Sequence, residues 1–229
     1  MGAALGWGGL AAGSLVIGAL LSIAREWPRR LVALVLAFGA GALISAVSFE
    51  LAEQGVQVGG AAAVGVGLGL GAVTYFALDG VVERSGSDPA AALALGAFLD
   101  GVPEQLVLGL GIAAGDGVSV ALLAAIFVSN LPEAIGSASD MRSEGGGNRQ
   151  ILRLWIGVAA ICTLASVVGF AIADSLSPRL EGAFNGFAAG ALLVMLSDSM
   201  IPEARKGGRA AGLVTTLGFA LAAGLSSLS

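Results

Sequence analysis

Polar breaks cut this chain into eight apolar runs, at roughly 2–24, 31–52, 58–82, 90–114, 117–140, 151–173, 180–203 and 209–228. Each matches the roughly 20 residues an α-helix needs to cross a bilayer. That repetition leaves little choice of fold. In lipid every backbone N–H and C=O must be bonded within the protein, so such runs span as helices. The prediction is an all-α integral membrane protein of eight transmembrane helices, forming a single transmembrane domain over 1–229. Composition agrees: 56% of residues are apolar, 12% are charged and the mean hydropathy is +0.91, far from the balance of a soluble domain. The 37 glycines fit the same picture, because membrane helices use small residues to approach one another closely. The first run lacks the basic n-region of a signal peptide and is expected to be a retained helix.

The basic residues set the expected topology. Arg25, Arg29 and Arg30 follow run 1, and Arg84 follows run 3. Arg142, Arg149 and Arg153 lie between runs 5 and 6, and Arg205, Lys206 and Arg209 between runs 7 and 8. Only Arg179 falls in the other set of loops. By the positive-inside rule the basic loops are cytoplasmic and both termini are outside. The Ala/Gly-rich, histidine-free composition is that expected of a multi-pass protein of a bacterial cell (plasma or inner) membrane.

Several function classes drop out. Acids outnumber bases and the pI is about 4.6, so no nucleic-acid partner is expected. There is no histidine, which removes every mechanism built on one, HExxH zinc chemistry and Ser–His catalysis included. No Walker A loop is present, so ATP hydrolysis is not expected. The one cysteine, Cys162, cannot form an internal disulfide and reads as packing.

Two internal repeats carry most of the information. Phe38-Gly39-Ala40-Gly41-Ala42-Leu43 in helix 2 matches Phe187-Ala188-Ala189-Gly190-Ala191-Leu192 in helix 7, with Arg30-Leu31 matching Arg179-Leu180 at the same offset. The expected topology runs these helices in opposite directions, the mark of inverted-repeat transporters. Strings of this kind also arise by chance in Ala/Gly-rich helices. The second repeat pairs Phe98-Leu99-Asp100-Gly101-Val102-Pro103-Glu104 in helix 4 with Phe127-Val128-Ser129-Asn130-Leu131-Pro132-Glu133 in helix 5. Each copy puts a glutamate halfway along a span, a costly place that usually marks a site or pathway. Asp100 and Glu104 share one helix face at i, i+4, as do Ser129 and Glu133, and Asn130 joins that face three residues before Glu133. The prolines free the carbonyls of Leu99 and Val128. Converging oxygen ligands with negative charge suit a divalent cation. The plainer reading is a pair of kinked helices whose carboxylates are protonated or bonded to neighbours.

At these residues the sequence resembles the ZIP family of divalent metal transporters. The resemblance covers the whole chain in helix count, topology and repeat placement. It implies a 3+2+3 arrangement in which helices 1–3 (1–83) and 6–8 (150–229) are inverted repeats around central helices 4 and 5 (90–141). Val102-Pro103-Glu104 and Asn130-Leu131-Pro132-Glu133 match the family motif. The resemblance therefore implies Glu104, Asn130 and Glu133 as ligands of a transported metal ion, with Asp100 and Ser129 at neighbouring ligand positions. It also implies an elevator-like transport cycle, a homodimer, the lipid bilayer as surroundings and no permanently bound cofactor. The chain departs from the pattern at Asp100, where the family has histidine, at Gly101, where it has asparagine, and at Ser129. The histidine-rich loop is reduced to 83–89, and helix 6 has no mid-span acid. An all-oxygen site favours harder ions such as Mn²⁺, relative to a site with imidazole ligands.

Four more acids are candidates for the ion's path: Glu50 and Glu53 at the end of helix 2, and Asp198 and Glu203 towards the end of helix 7. Ordinary interfacial carboxylates are the alternative. Asp79 reads as interfacial. Two other functions stay open. One is an intramembrane aspartyl protease using Asp79 and Asp100, both in Leu-Asp-Gly contexts, which leaves the Pro-Glu repeat unexplained. The other is a ZIP-like protein that has lost metal transport and carries another solute or serves as a partner subunit.

Overall fold

The computed structural model describes residues 1–84, 89–113 and 119–227, with side chains described except at 82–84, 89–95, 97 and 100. All the secondary structure within these bounds is helical. In chain order it comprises α1 (Gly2–Ala24), α2 (Arg29–Gly59), α3 (Ala61–Arg84), α4 (Pro89–Ala113), α5 (Val120–Ser143), α6 (Asn148–Ser175), α7 (Pro178–Arg205) and α8 (Ala211–Ser226). Six of these are long and apolar enough to cross a membrane: α1, α2, α3 (as Ala61–Val81), α5, α6 and α7. The architecture is that of an all-α, multi-pass membrane protein.

Local chemistry accounts for the punctuation. After α1 the chain turns extended at Arg25, and the Leu21 carbonyl accepts both from the Arg25 backbone N–H at 3.1 Å and from the Trp27 indole N–H at 2.9 Å. Arg25 lies over the same indole ring, 5.6 Å from its centre. Pro28 precedes the first turn of α2, and Pro178 opens α7 behind the Ser177 cap, whose hydroxyl accepts from the Leu180 N–H. Gly60, at φ +83°, makes the corner between α2 and α3 that a side chain would strain.

α2 and α7 depart from regular geometry in the same way. Each starts with an 18-residue α-helical stretch, Arg29–Ala46 and Pro178–Met195, and each then widens into π-helix, Val47–Glu53 and Leu196–Met200. The two stretches lie 149 positions apart, the offset that relates Phe38 to Phe187. π turns of this kind are rare and often accompany function. α2 runs on to Gly59, past the expected end at 52. The acid read as its polar end, Glu50, is only 5% exposed and is covered by protein rather than water, so nothing stops the helix there.

The helices pack pairwise: α3 on α7, α8 on α2, α4 on α6, and α1 on both α5 and α6, with α5 also against α2. Glycine sets the distance in four reciprocal places. A Cβ on Gly41 would run into the Thr215 carbonyl, and one on Gly190 into the Leu68 carbonyl. A Cβ on Gly218 would run into the Phe38 carbonyl, and one on Gly71 into the Phe187 carbonyl. The α2 residues match those of α7 at offset 149, and the α3 residues match those of α8 at offset 147. The two seams are copies of one contact.

The same contacts give directions. α3 and α7 ascend together, from Gly59 beside Gly182, through Val64 beside Gly186, to Leu68 beside Gly190. α1 and α6 run opposite ways, since Gly8 lies against Ser166 while Ala19 packs in one cluster with Ile151 and Trp155. At one end of the bundle Arg142 donates to the Ser22 carbonyl and Gly207 lies against Leu34, so the α1–α2, α5–α6 and α7–α8 turns and their basic residues share that end. The outward faces are apolar, with Leu213, Phe76 and Val73 each about two-thirds or more exposed.

Candidate functional site

α4 and α5 carry the two Pro-Glu copies, and each is braced by its own neighbours. α4 lies along α6, and α5 lies along α1 and α2. On α4, Val107 and Leu108 join the main apolar cluster with Leu122 and Ile126 of α5, Leu43 of α2 and Leu192 of α7. Glu104 sits one turn before them on that face and is 1% exposed. The carboxyl group is therefore closed off from solvent, on the face of α4 that joins the main apolar cluster. Asp100 belongs to α4 one turn earlier; its side chain lies outside the described residues.

On α5, Asn130 is 3% exposed and Ser129 1%. The Ser129 hydroxyl donates to the Ile126 carbonyl at 3.0 Å, which uses its proton and leaves its lone pairs. Gly39 lets α2 come down directly onto this stretch: a Cβ there would lie 2.8 Å from the Ser129 Cα and 3.2 Å from the Val128 oxygen. That oxygen is one that Pro132 denies its usual helical partner. Glu133 is half-buried on the same helix. Glu104, Ser129 and Asn130 are thus all enclosed, on α4 and α5. Among the described residues no three of His, Cys, Asp and Glu come close enough together to hold a metal ion. An ion held by these helices alone would take its oxygens from amide, hydroxyl and carbonyl groups besides the carboxylates.

The four outlying acids fall into different environments. Glu50 lies within the π turn of α2 and accepts from Gln54 Nε2 at 3.1 Å and from the Ser226 hydroxyl at 2.5 Å. That second bond ties α2 to the end of α8. Glu53, nearby, is exposed. Asp198 lies in the π turn of α7, exposed, at the edge of a shallow groove between α3 and α7 lined mainly by apolar side chains such as Val73 and Phe76. Glu203 is exposed and pairs with Lys206 at 2.5 Å. A pair this open to solvent contributes little to stability. The Glu50 bond is different, being largely enclosed. Ser226→Ala is expected to lower stability by about 1–2 kcal/mol, read as a drop in melting temperature in detergent.

Sequence reasoning passed over Gln105 and Ser166, both fully buried, and Asn185, 7% exposed. Gln105 carries a signal that could have found it, an amide inside an apolar span directly after the mid-span glutamate. Neither protein-family models nor curated proteins give a match to this chain.

Proposed function

We propose that this protein is a multi-pass membrane transporter of divalent metal cations, with the ion bound at mid-depth on α4 and α5. The observation that carries the reading is Glu104, a carboxylate 1% exposed in an apolar bundle, within a Pro-Glu motif repeated on the next helix beside buried Asn130. Ionisable groups at such depth are expensive and mark ion pathways. Asp100, Glu104, Ser129, Asn130 and Glu133 form the proposed ligand set, an oxygen-only set that shifts preference towards Mn²⁺ and away from Zn²⁺ relative to a site with imidazole ligands. Glu50, Glu53, Asp198 and Glu203 flank it as the proposed approach and exit.

The proposed arrangement is 3+2+3: α1–α3 and α6–α8 as inverted repeats around α4 and α5, the plan of the ZIP family that the sequence resembles. Four features support it. The helical stretches of α2 and α7 have equal length, their π turns start at the same offset, the glycine seams are reciprocal, and α1 and α6 run antiparallel. In such proteins the substrate site lies between the repeats, and access alternates as one helix group shifts against the other. The basic end is proposed to face the cytoplasm of a cell membrane, leaving both termini outside, and the working form to be a homodimer.

The test is uptake into proteoliposomes across Mn²⁺, Fe²⁺, Zn²⁺, Cd²⁺ and Mg²⁺, with the Glu104→Ala/Glu133→Ala double variant as control. Uptake of at least one ion that the double variant loses is the expected result. Equal traces from both proteins for every ion would overturn the assignment, and would leave a ZIP-like scaffold carrying another solute or acting as a partner subunit.

A further inference from the structure

We infer that the junction of α1, α4 and α6 binds an internal water molecule, held by Gln105 and Ser166. The inference stands on its own residues and does not depend on metal transport. Gln105 is fully buried, and among the described residues neither its Oε1 nor its Nε2 has a hydrogen-bond partner. In an apolar bundle an amide left in that state is costly, and buried polar groups that the protein leaves unmet are commonly met by ordered water.

The surroundings are polar at one corner only. The Gln105 Oε1 lies 3.3 Å from the point a Cβ on Gly8 would occupy, and the Ser166 hydroxyl oxygen lies 2.8 Å from the same point. Ser166 is fully buried, and its hydroxyl donates to the Ala4 carbonyl over 3.3 Å, beyond the usual O–H···O range. The missing side chain of Gly8 is what lets the amide and the hydroxyl come together there.

The needs of these groups select the ligand. Gln105 presents an unmet acceptor and an unmet donor, and Ser166 has acceptor capacity to spare. A cation would satisfy the oxygens and leave the Nε2 protons unmet. An anion would do the reverse. A water molecule both donates and accepts, which is what these groups require.

The chain contains its own reporter. On α4, Gly101 stands one turn before Gln105, and the Cys162 sulfur lies 2.6 Å from where a Gly101 Cβ would be. On α6, Cys162 stands one turn before Ser166. The only cysteine is therefore about one helical turn, ~5.4 Å, from the proposed water.

X-ray radiolytic footprinting of the full chain in detergent tests the inference, because radicals formed from a bound water oxidise side chains beside it where bulk solvent does not reach. Cys162, 1% exposed, is expected to be oxidised several-fold faster in the unaltered protein than in Gln105→Leu or Ser166→Ala. Ser166→Ala is the smaller change and carries the measurement if Gln105→Leu does not fold. Equal Cys162 oxidation in the unaltered protein and the variants would overturn the inference.

Discussion

Glu104→Gln is expected to cut the initial rate of metal uptake by about 100-fold or more while leaving the fold intact. The magnitude follows by comparison: loss of a group that merely orients a metal ligand costs ~10–100-fold, and a ligand that carries the charge itself stands at or beyond the top of that range. Glutamine has nearly the same shape, so the packing around this 1%-exposed position survives. What disappears, in the proposed site, is the negative charge that would offset the desolvation of a bound ion. The metal-free Glu104→Gln variant should therefore melt no lower than the unaltered protein, and in reconstituted vesicles of matched protein content only the uptake should fall. A variant that transports at the unaltered rate would remove Glu104 from the site. A variant that melts well below it would make the glutamate structural.

The second large effect is on stability and is expected to occur twice. Gly41→Ala and Gly190→Ala each drive a methyl group into the backbone of a neighbouring helix, at the Thr215 carbonyl in one case and the Leu68 carbonyl in the other. No rotamer relieves a clash with a carbonyl, so the helices must separate. Overpacking of this sort costs about 1–3 kcal/mol, and here the upper part of the range applies. Because the seams copy one another, the two losses should be equal within ~0.5 kcal/mol and should add in the double variant, the sites being independent. Gly65→Ala and Gly69→Ala are the controls. Both sit on the same helix as Leu68 with nothing within 4 Å, so alanine there is neutral or raises stability by about 0.5–1 kcal/mol. Thermal unfolding of the four variants in one detergent gives the comparison. Unequal losses at Gly41 and Gly190 would show that the seams are alike in shape and unlike in load.

How much of this could be read beforehand depended on whether the signal was local. Helix number, order and most boundaries follow from runs of apolar residues, and α1 ends where its run does, at Ala24. The end of α2 is hidden from such a reading because Glu50 and Glu53 look like a polar terminus. Only the arrival of Ser226 from α8, 176 residues on, shows that Glu50 is enclosed. The α2/α7 likeness was visible as Phe-x-x-Gly-Ala-Leu. Its partner was not, since Leu68 to Gly71 and Thr215 to Gly218 share only a Leu-Gly pair. What matches there is a backbone approach, and that leaves almost no trace in side-chain identity. At the site, the Pro-Glu repeat pointed to Glu104 and Asn130, both of which are enclosed. Gln105 stands out within α4 as an amide in an apolar span, but that its face meets Gly8 is decided by the placing of α1 and α6.

A three-helix unit that packs as α3 does on α7 needs no partner of another kind. A second copy of itself, inserted upside down, supplies the opposing surface. Such a unit can begin as two separate, identical chains and later be fused into one gene, after which each half is free to drift. Under the proposed repeat plan the two halves differ at the π turns. Glu50 on α2 meets Ser226 on α8, and at the mirrored positions stand Ser199 on α7 and Asp79 on α3, the same two chemistries on exchanged helices. In the proposed inverted-repeat plan both acids fall in the first half and both serines in the second, so the two mirrored sites differ in which helix carries the acid.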